Sequence, residues 1–163
     1  MHFYFEPMLL EYRESVIDIF NYYIENSFAA YPETKVPYEF FDKFLEMSDG
    51  YPTITVKDEI GEVLGFGLLL AHNPIPTFSQ TAEITYFITP EYTRRGIGSK
   101  MLNQLVDEAK QKGISSILAS ISSLNEGSIN FHRKNGFVES GRFKNVGRKK
   151  GQVFDTVWMQ KML

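Results

Sequence analysis

The sequence YFITPEYTRRGIGS, residues 86–99, joins a predicted strand to a predicted helix. Residues 81–88 are rich in β-branched and aromatic side chains, which favours a strand, and Pro90 ends it because proline cannot donate to a strand ladder. Residues 96–111 carry apolar side chains at steps of four, which indicates a helix. A glycine-bearing helix start presents free backbone N–H groups and the positive end of the helix dipole. The stretch therefore predicts a pyrophosphate-binding loop.

Two better-known phosphate motifs do not fit this loop. The dinucleotide fingerprint requires a third glycine at position 101, where Met101 stands. The P-loop requires a glycine five positions before a Gly-Lys pair, and that spacing is absent. A structural interpretation stays open for the loop by itself, namely an ordinary glycine-containing helix start with Arg94 and Arg95 in solvent.

The remaining pattern predicts a mixed α/β layer architecture in one domain, residues 1–163. The predicted order is strand, two helices, three strands, helix, strand, helix and two strands. The predicted strands are 2–7, 53–58, 63–72, 81–88, 115–122, 136–144 and 153–162. The predicted helices are 11–27, 38–47, 96–111 and 125–134, and residues 73–80 form a long loop.

The amino-acid composition argues against several classes of function. With 43% hydrophobic and 23% charged residues among 163, the chain can form a folded core. A net charge of −3 without a basic face argues against nucleic acid as the main partner. Without cysteine there is no disulfide, thiolate metal site or cysteine nucleophile, and we expect no metal. No secretory signal and no apolar run of ~20 residues is seen, so we expect a cytoplasmic protein that does not enter membranes.

A second signal lies in NEGSINFHRKNGF, residues 125–137. Asn125 is placed to cap a helix. Ser128 and His132 are four residues apart and therefore share a helix face. A lone histidine is more often a structural residue than a catalyst, and this interpretation of His132 stays open from the pattern alone.

Together the two segments resemble the GNAT acetyltransferases. Arg-Arg-Gly-Ile-Gly opening a helix is similar to that family's acetyl-CoA signature, and residues 125–137 are similar to its N-x-x-S-I segment ending in Gly-Phe. His132, residues 81–88, residues 21–27 and residues 146–160 resemble the phosphinothricin (methionine sulfone and sulfoximine) N-acetyltransferase group. Departures at Thr93, in loop 73–80, and at Lys150 and Val153 bear on the substrate.

The resemblance implies a GNAT fold, with a central, mostly antiparallel twisted sheet of about seven strands flanked by four helices. It implies an N-acetyltransferase that uses acetyl-CoA as cosubstrate and acts on the amine of a small molecule, of the phosphinothricin or methionine sulfone type. It also implies a homodimer. The residues expected to bind the cofactor are Tyr86, Phe87, Ile88, Arg94, Arg95, Gly96, Ile97, Gly98, Ser99, Asn125, Ser128 and Phe131.

The catalytic residues that the resemblance implies are Glu83 and His132. Glu83 matches the family's general base and would take a proton from the amine, which then attacks the thioester directly. Backbone N–H groups near Phe87 and Ile88 would stabilise the oxyanion. His132 would protonate or position the leaving thiolate, with Tyr86 as the weaker alternative. The structural interpretation makes Glu83 an ordinary strand glutamate in a salt bridge.

The acceptor site is expected to include Phe28, Tyr31 and Glu83, with loop 73–80 nearby. The Arg148-Lys149 pair, interpreted as a turn, is a candidate to hold a substrate carboxylate. The apolar last strand is expected to form the dimer interface through Val153, Phe154, Val157, Trp158 and Met159, with the core of the monomer as the alternative place for these side chains. Two alternatives remain open: acetylation of a protein N-terminus, polyamine or aminoglycoside, and a CoA-binding sensor without turnover.

Overall fold

The computed structural model describes residues 1–163 and confirms the predicted mixed α/β class, with seven strands and four α-helices. The strands are β1 (Tyr4–Glu6), β2 (Thr53–Lys57), β3 (Val63–Ala71), β4 (Thr81–Ile88), β5 (Ser116–Ser122), β6 (Val138–Lys149) and β7 (Gln152–Met162). The helices are α1 (Arg13–Asn26), α2 (Phe41–Met47), α3 (Ile97–Gln111) and α4 (Glu126–Lys134).

The strands form one sheet in the order β1-β2-β3-β4-β5-β7-β6. Every neighbouring pair is antiparallel except β4 and β5, which run parallel. This parallel ladder is short, since it joins only residues 81–83 to residues 116–118. Beyond the pair Glu83–Leu118, β4 continues to Ile88 and β5 to Ser122 without pairing to each other. The sheet therefore opens at its centre.

The helices cover the two faces of the sheet and create two cores. On one face α3 buries Met101, Leu105 and Ala109 in a cluster of 19 residues. On the other face α1 and α2 contribute to a cluster of 11 residues in which Phe20 and Phe44 pack edge to face. Because side chains alternate along a strand, β4 contributes Ile84 and Tyr86 to the α3 face and Phe87 to the α1 face.

The hairpin of β6 and β7 differs most from the predicted boundaries. The strand predicted at 136–144 begins at Val138 and continues to Lys149, because the hairpin closes only at Lys150 and Gly151, both with positive φ. A bulge between Phe143 and Gly147 interrupts the ladder without ending it. Because the residues of this bulge resemble a turn, the sequence pattern does not predict the second half of the strand. At the other end of the chain, a 3-10 turn at Leu10–Tyr12 precedes α1.

The prediction that the last strand, β7, forms the dimer interface is partly wrong. Phe154, Val157 and Met159 are buried at 6%, 0% and 0% exposure within the single chain. Val157 and Met159 belong to the core beneath α3, and Phe154 stacks on Tyr31 with the ring centroids 5.7 Å apart. These three side chains stabilise the monomer and are not available to a second copy.

The Arg148-Lys149 pair is not a turn but the end of β6, and Lys149 is almost fully buried. Its Nζ donates to the carbonyl oxygens of Ser27 at 2.7 Å and of Ala30 at 2.6 Å. Burial lowers the pKa of Lys149. The expectation that Lys149 holds a substrate carboxylate is therefore wrong, since its ammonium binds backbone carbonyls. It fastens the segment after α1 to the hairpin.

Replacing Lys149 tests this attachment. Lys149→Met keeps the side-chain length but leaves both carbonyls without their donor, and an unsatisfied buried polar group costs about 1–3 kcal/mol. We expect the unfolding free energy from urea denaturation to fall by that amount. Lys144→Met, at an exposed position of the same strand, is the control and should change it little. Equal stability of the two variants would contradict the attachment.

Candidate active site

A cleft of about 890 Å³ lies where β4 and β5 separate. Its walls come from both strands, from the start of α3 and from α4. The predicted residues that line it are Tyr86, Phe87, Ile88, Arg94, Gly96, Gly98, Ser99, Asn125, Ser128, Phe131 and His132. Two predicted cofactor residues do not line it with their side chains: Ile97 is buried in the α3 core, and the Arg95 guanidinium lies over the Tyr92 ring at 5.0 Å.

The start of α3 forms one end of the cleft. Gly96 caps the helix with φ 81°, in the left-handed region, and a Cβ there would meet no protein atom within 4 Å. A Cβ on Gly98 would lie 3.1 Å from the Phe131 ring, so glycine allows α3 and α4 to approach closely. The first N–H groups of a helix have no intrahelical acceptor. Arg94 adds a positive charge beside them, and this end of the cleft is suited to an anion.

Backbone N–H groups of β4 face the cleft at alternate residues. Thr89 N–H donates to the Leu64 carbonyl of the β3 side at 2.7 Å. Because hydrogen-bonded pairs alternate in an antiparallel ladder, the N–H of Phe87 also points to β3, and those of Tyr86 and Ile88 point to the side of β5. The Ile88 N–H, and not that of Phe87, is therefore placed to stabilise an oxyanion in the cleft.

Helix α4 forms the wall opposite β4. Asn125 caps it, and its Oδ1 accepts from the Ser128 N–H at 3.3 Å. The helix direction fixed by this cap carries His132 into the interior at 4% exposure. The predicted sharing of a face is seen as a contact, since His132 Nδ1 lies 3.3 Å from the Ser128 hydroxyl and 2.7 Å from the Ser128 carbonyl oxygen.

His132 and Tyr86 form a hydrogen-bonded pair inside the cleft. A carbonyl oxygen only accepts, so His132 Nδ1 carries the proton in its bond to Ser128. The bare Nε2 then accepts from the Tyr86 hydroxyl at 2.8 Å. Burial lowers the pKa of His132 and raises the pKa of Tyr86. At neutral pH the pair consists of a neutral imidazole and a protonated phenol.

Glu83 lies at the last paired position before the strands separate, on the face of β4 opposite Tyr86. Its Oε2 is 2.9 Å from Nδ1 of His72, the residue that directly follows β3. The sequence interpretation missed His72. The signal that locates it is the hairpin register: Leu70 pairs with Glu83, so His72 lies on the same face, diagonal to the carboxylate.

Aromatic residues surround this side of the sheet. The Tyr31 hydroxyl is 3.1 Å from Ser120 Oγ, and Ser120 lines the cleft. Burial raises the pKa of Tyr31. Phe28 packs on the Phe154 ring, with the ring centroids 6.5 Å apart. Tyr31 is thus joined to the cleft through Ser120, whereas Phe28, Tyr31 and Glu83 are not among the residues that line it.

The structure contains no group of three or more His, Cys, Asp or Glu side chains arranged to bind a metal ion. None of its helices combines the length and the apolar character that crossing a bilayer requires.

Comparison with known proteins confirms the resemblance seen in the sequence. Residues 16–137 match the family model described as Acetyltransferase (GNAT) family. The L-methionine sulfoximine/L-methionine sulfone acetyltransferase of Pseudomonas aeruginosa is 32% identical over 149 residues, which is 89% of this chain and 86% of that protein.

Two solved structures are similar over almost the whole chain. A GNAT superfamily phosphinothricin acetyltransferase from Sinorhizobium meliloti, in complex with AcCoA, has a TM-score of 0.93 and 28% identity, covering 100% of this chain and 89% of that one. A ribosomal-protein-alanine N-acetyltransferase from Brucella melitensis has a TM-score of 0.91 and 30% identity, covering 98% and 99%.

The neutrality of His132 can be measured directly. We expect its imidazole to titrate below its ordinary pKa of 6.5, with the proton on Nδ1 at neutral pH. Because the folded chain binds this proton less readily than the unfolded chain, stability falls as the pH drops from 6.5 to the folded pKa. Histidine NMR shifts followed against pH provide the test, with exposed His2 as the internal reference. Titration of His132 at 6.5 or above would contradict the assignment.

Proposed function

The chain belongs to the acetyltransferase (GNAT) family, and from this premise we propose that it transfers an acetyl group from acetyl-CoA to the amine of an amino-acid-like small molecule. The observation that carries the proposal is the cleft between β4 and β5. It has an anion-suited helix start at one end, and Glu83 directly precedes Ile84, the first residue of β4 that lines it. The relatives named above support both the donor and the class of acceptor.

The residues present fit acetyl-CoA as the acyl donor. Gly96, Gly98 and Ser99 would surround the pyrophosphate with the first turn of α3, and Arg94 would add charge. Ile97 and Arg95 would contribute through backbone and local packing, since their side chains are engaged elsewhere. Asn125, Ser128 and Phe131 would line the opposite wall. When bound, the donor supplies an activated thioester carbonyl within reach of β4.

Glu83 would act as the general base. An alkyl ammonium group has no lone pair and cannot attack until it loses a proton. The Glu83 carboxylate would take this proton, and the amine nitrogen would then form its bond to the thioester carbon. The carbonyl oxygen would become negative in this step, and the Ile88 N–H, which faces the cleft, would stabilise it. No covalent enzyme intermediate is required.

Tyr86 would protonate the leaving sulfur, and His132 would position the Tyr86 hydroxyl. A neutral His132 has no proton on Nε2, so it cannot donate directly from the atom that faces Tyr86. The raised pKa of Tyr86 disfavours a free phenolate. We therefore infer that the Tyr86 hydroxyl turns from His132 Nε2 and passes its proton to the sulfur, while its oxygen receives a proton from the amine nitrogen.

The acceptor class rests on the names of relatives that act on methionine sulfoximine, methionine sulfone and phosphinothricin. A protein N-terminus is the second candidate, because the Brucella structure is named for ribosomal-protein alanine. Thiol release from acetyl-CoA should be measured with methionine sulfone, phosphinothricin, free amino acids, polyamines, aminoglycosides and an alanine-ended peptide. Release with none of them, despite acetyl-CoA binding, would favour the non-catalytic sensor.

We also propose that the chain forms a homodimer through the outer edge of the sheet. β6 is the last strand and leaves one backbone edge unpaired. It exposes large apolar side chains at Val138, Phe143 and Val146. Such an edge is a template for pairing unless it is covered. Sedimentation at micromolar concentration should give twice the chain mass of 18.8 kDa.

The role of the α3 start predicts a selective loss of cofactor binding. Gly96 and Gly113 have nearly the same positive φ, at opposite ends of α3, and neither has a protein atom near its missing Cβ. Gly96→Val and Gly113→Val should therefore strain the backbone alike. Only Gly96→Val should weaken acetyl-CoA binding, at least about tenfold in calorimetry. Equal acetyl-CoA affinities of the two folded variants would refute the assignment.

The role of Glu83 predicts a loss of turnover without loss of donor binding. Glu83→Gln keeps the size and polarity of the side chain but cannot take a proton. We expect turnover at neutral pH to fall about 10²-fold or more, with acetyl-CoA affinity little changed. The loss should shrink at high pH, where the free amine forms in solution. Wild-type turnover of Glu83→Gln with the true acceptor would make Glu83 a structural residue.

A further inference from the structure

His72 is the side chain that hydrogen-bonds Glu83, and its Nδ1 lies 2.9 Å from Oε2. The two residues come from adjacent strands and share a face of the sheet, as the Leu70–Glu83 register requires. Both side chains are partly exposed, at 36% for His72 and 27% for Glu83. Solvent screens such a contact at this exposure, so the contact contributes little to folding stability. We expect the contact to act on the orientation of the Glu83 carboxylate.

A carboxylate on a glutamate side chain rotates freely unless a donor fixes one oxygen. The Nδ1–H of His72 occupies Oε2, and Oε1 is left for the proton of the acceptor amine. Fixing the base in this way matters because small displacements of a reacting group reduce the rate strongly.

The His72 ring is itself held from two sides. Phe78, in the loop after β3, meets it edge to face with the ring centroids 6.4 Å apart. Trp158 of β7 meets it in the same manner, also at 6.4 Å. These contacts bring the loop and β7 to the residue that orients the base. They also account for Trp158, which the sequence interpretation assigned to a dimer interface.

We propose that His72 is a positioning residue for catalysis, which donates Nδ1–H to Glu83 and aims its free oxygen at the acceptor amine. The inference rests on the proposed role of Glu83 as the base. Few other groups on this face titrate. Loop 73–80 carries no ionisable side chain, and Tyr31, bonded to Ser120 of β5, stays neutral because burial raises its pKa.

The experiment distinguishes the effect of the His72 Nδ1–H donor from the effect of the His72 aromatic ring. His72→Phe keeps an aromatic ring for Phe78 and Trp158 but removes the donor. His72→Asn removes the ring but places an amide N–H near the position of Nδ1. His72→Leu has the shape of asparagine without its donor. Steady-state rates against pH are measured for all three, with exposed His2→Phe as the control.

We expect His72→Phe and His72→Leu to lower kcat about tenfold to a hundredfold, with acetyl-CoA KM unchanged. His72→Asn should restore most of the lost turnover. If the Phe variant fails to fold, the Asn and Leu pair decides the same question.

A wild-type kcat in His72→Phe or His72→Leu would overturn the proposal. Failure of His72→Asn to exceed His72→Leu would also overturn it, since the donor would then not be the cause. A failure of the base assignment would be seen separately, in the Glu83→Gln variant. That variant would then keep wild-type turnover, and His72 would not influence the rate.

Discussion

The active site depends on the hydrogen bonds that β4 and β5 do not make with each other. Their parallel ladder ends at Glu83 and Leu118, although both strands continue. Interior backbone N–H and C=O groups require partners, and the Tyr23 hydroxyl supplies one to the Ile88 carbonyl. The N–H groups of Tyr86 and Ile88 face the cleft, so an extended polar molecule can take the place that a neighbouring strand would have.

The separation of the strands also divides the chemistry between two faces of the sheet. Strand alternation places Glu83 and His72 on the side of α1, and Tyr86 and His132 on the side of α3. Proton removal from the amine and proton delivery to the sulfur would thus occur on opposite sides of β4. Under the proposed mechanism the reacting carbon would lie between them, in the gap, and the splayed strands would define where an acetyl group is attacked.

The sequence could predict those parts whose cause is local. A capping Asn125, a glycine at a positive φ and the β-branched run of β4 each act within a few residues, and the corresponding elements were placed within two positions. Lys149 and His72 could not be predicted, because their roles depend on partners far along the chain. A lysine among basic neighbours indicates a solvated turn, and only the folded hairpin shows it bound to the carbonyls of Ser27 and Ala30.

This contrast explains why the family is recognisable from the sequence and the acceptor is not. The proposed donor site is formed largely by backbone N–H groups, whose arrangement needs glycines and a helix start at fixed spacing, and such a pattern is readable in a short segment. The proposed acceptor side would be assembled from side chains of separate segments, among them His72, Phe78 and Trp158. All three lie outside residues 86–99 and 125–137, so a change among them leaves the donor segments untouched. Acceptor choice can therefore diverge among proteins that keep the same donor cleft.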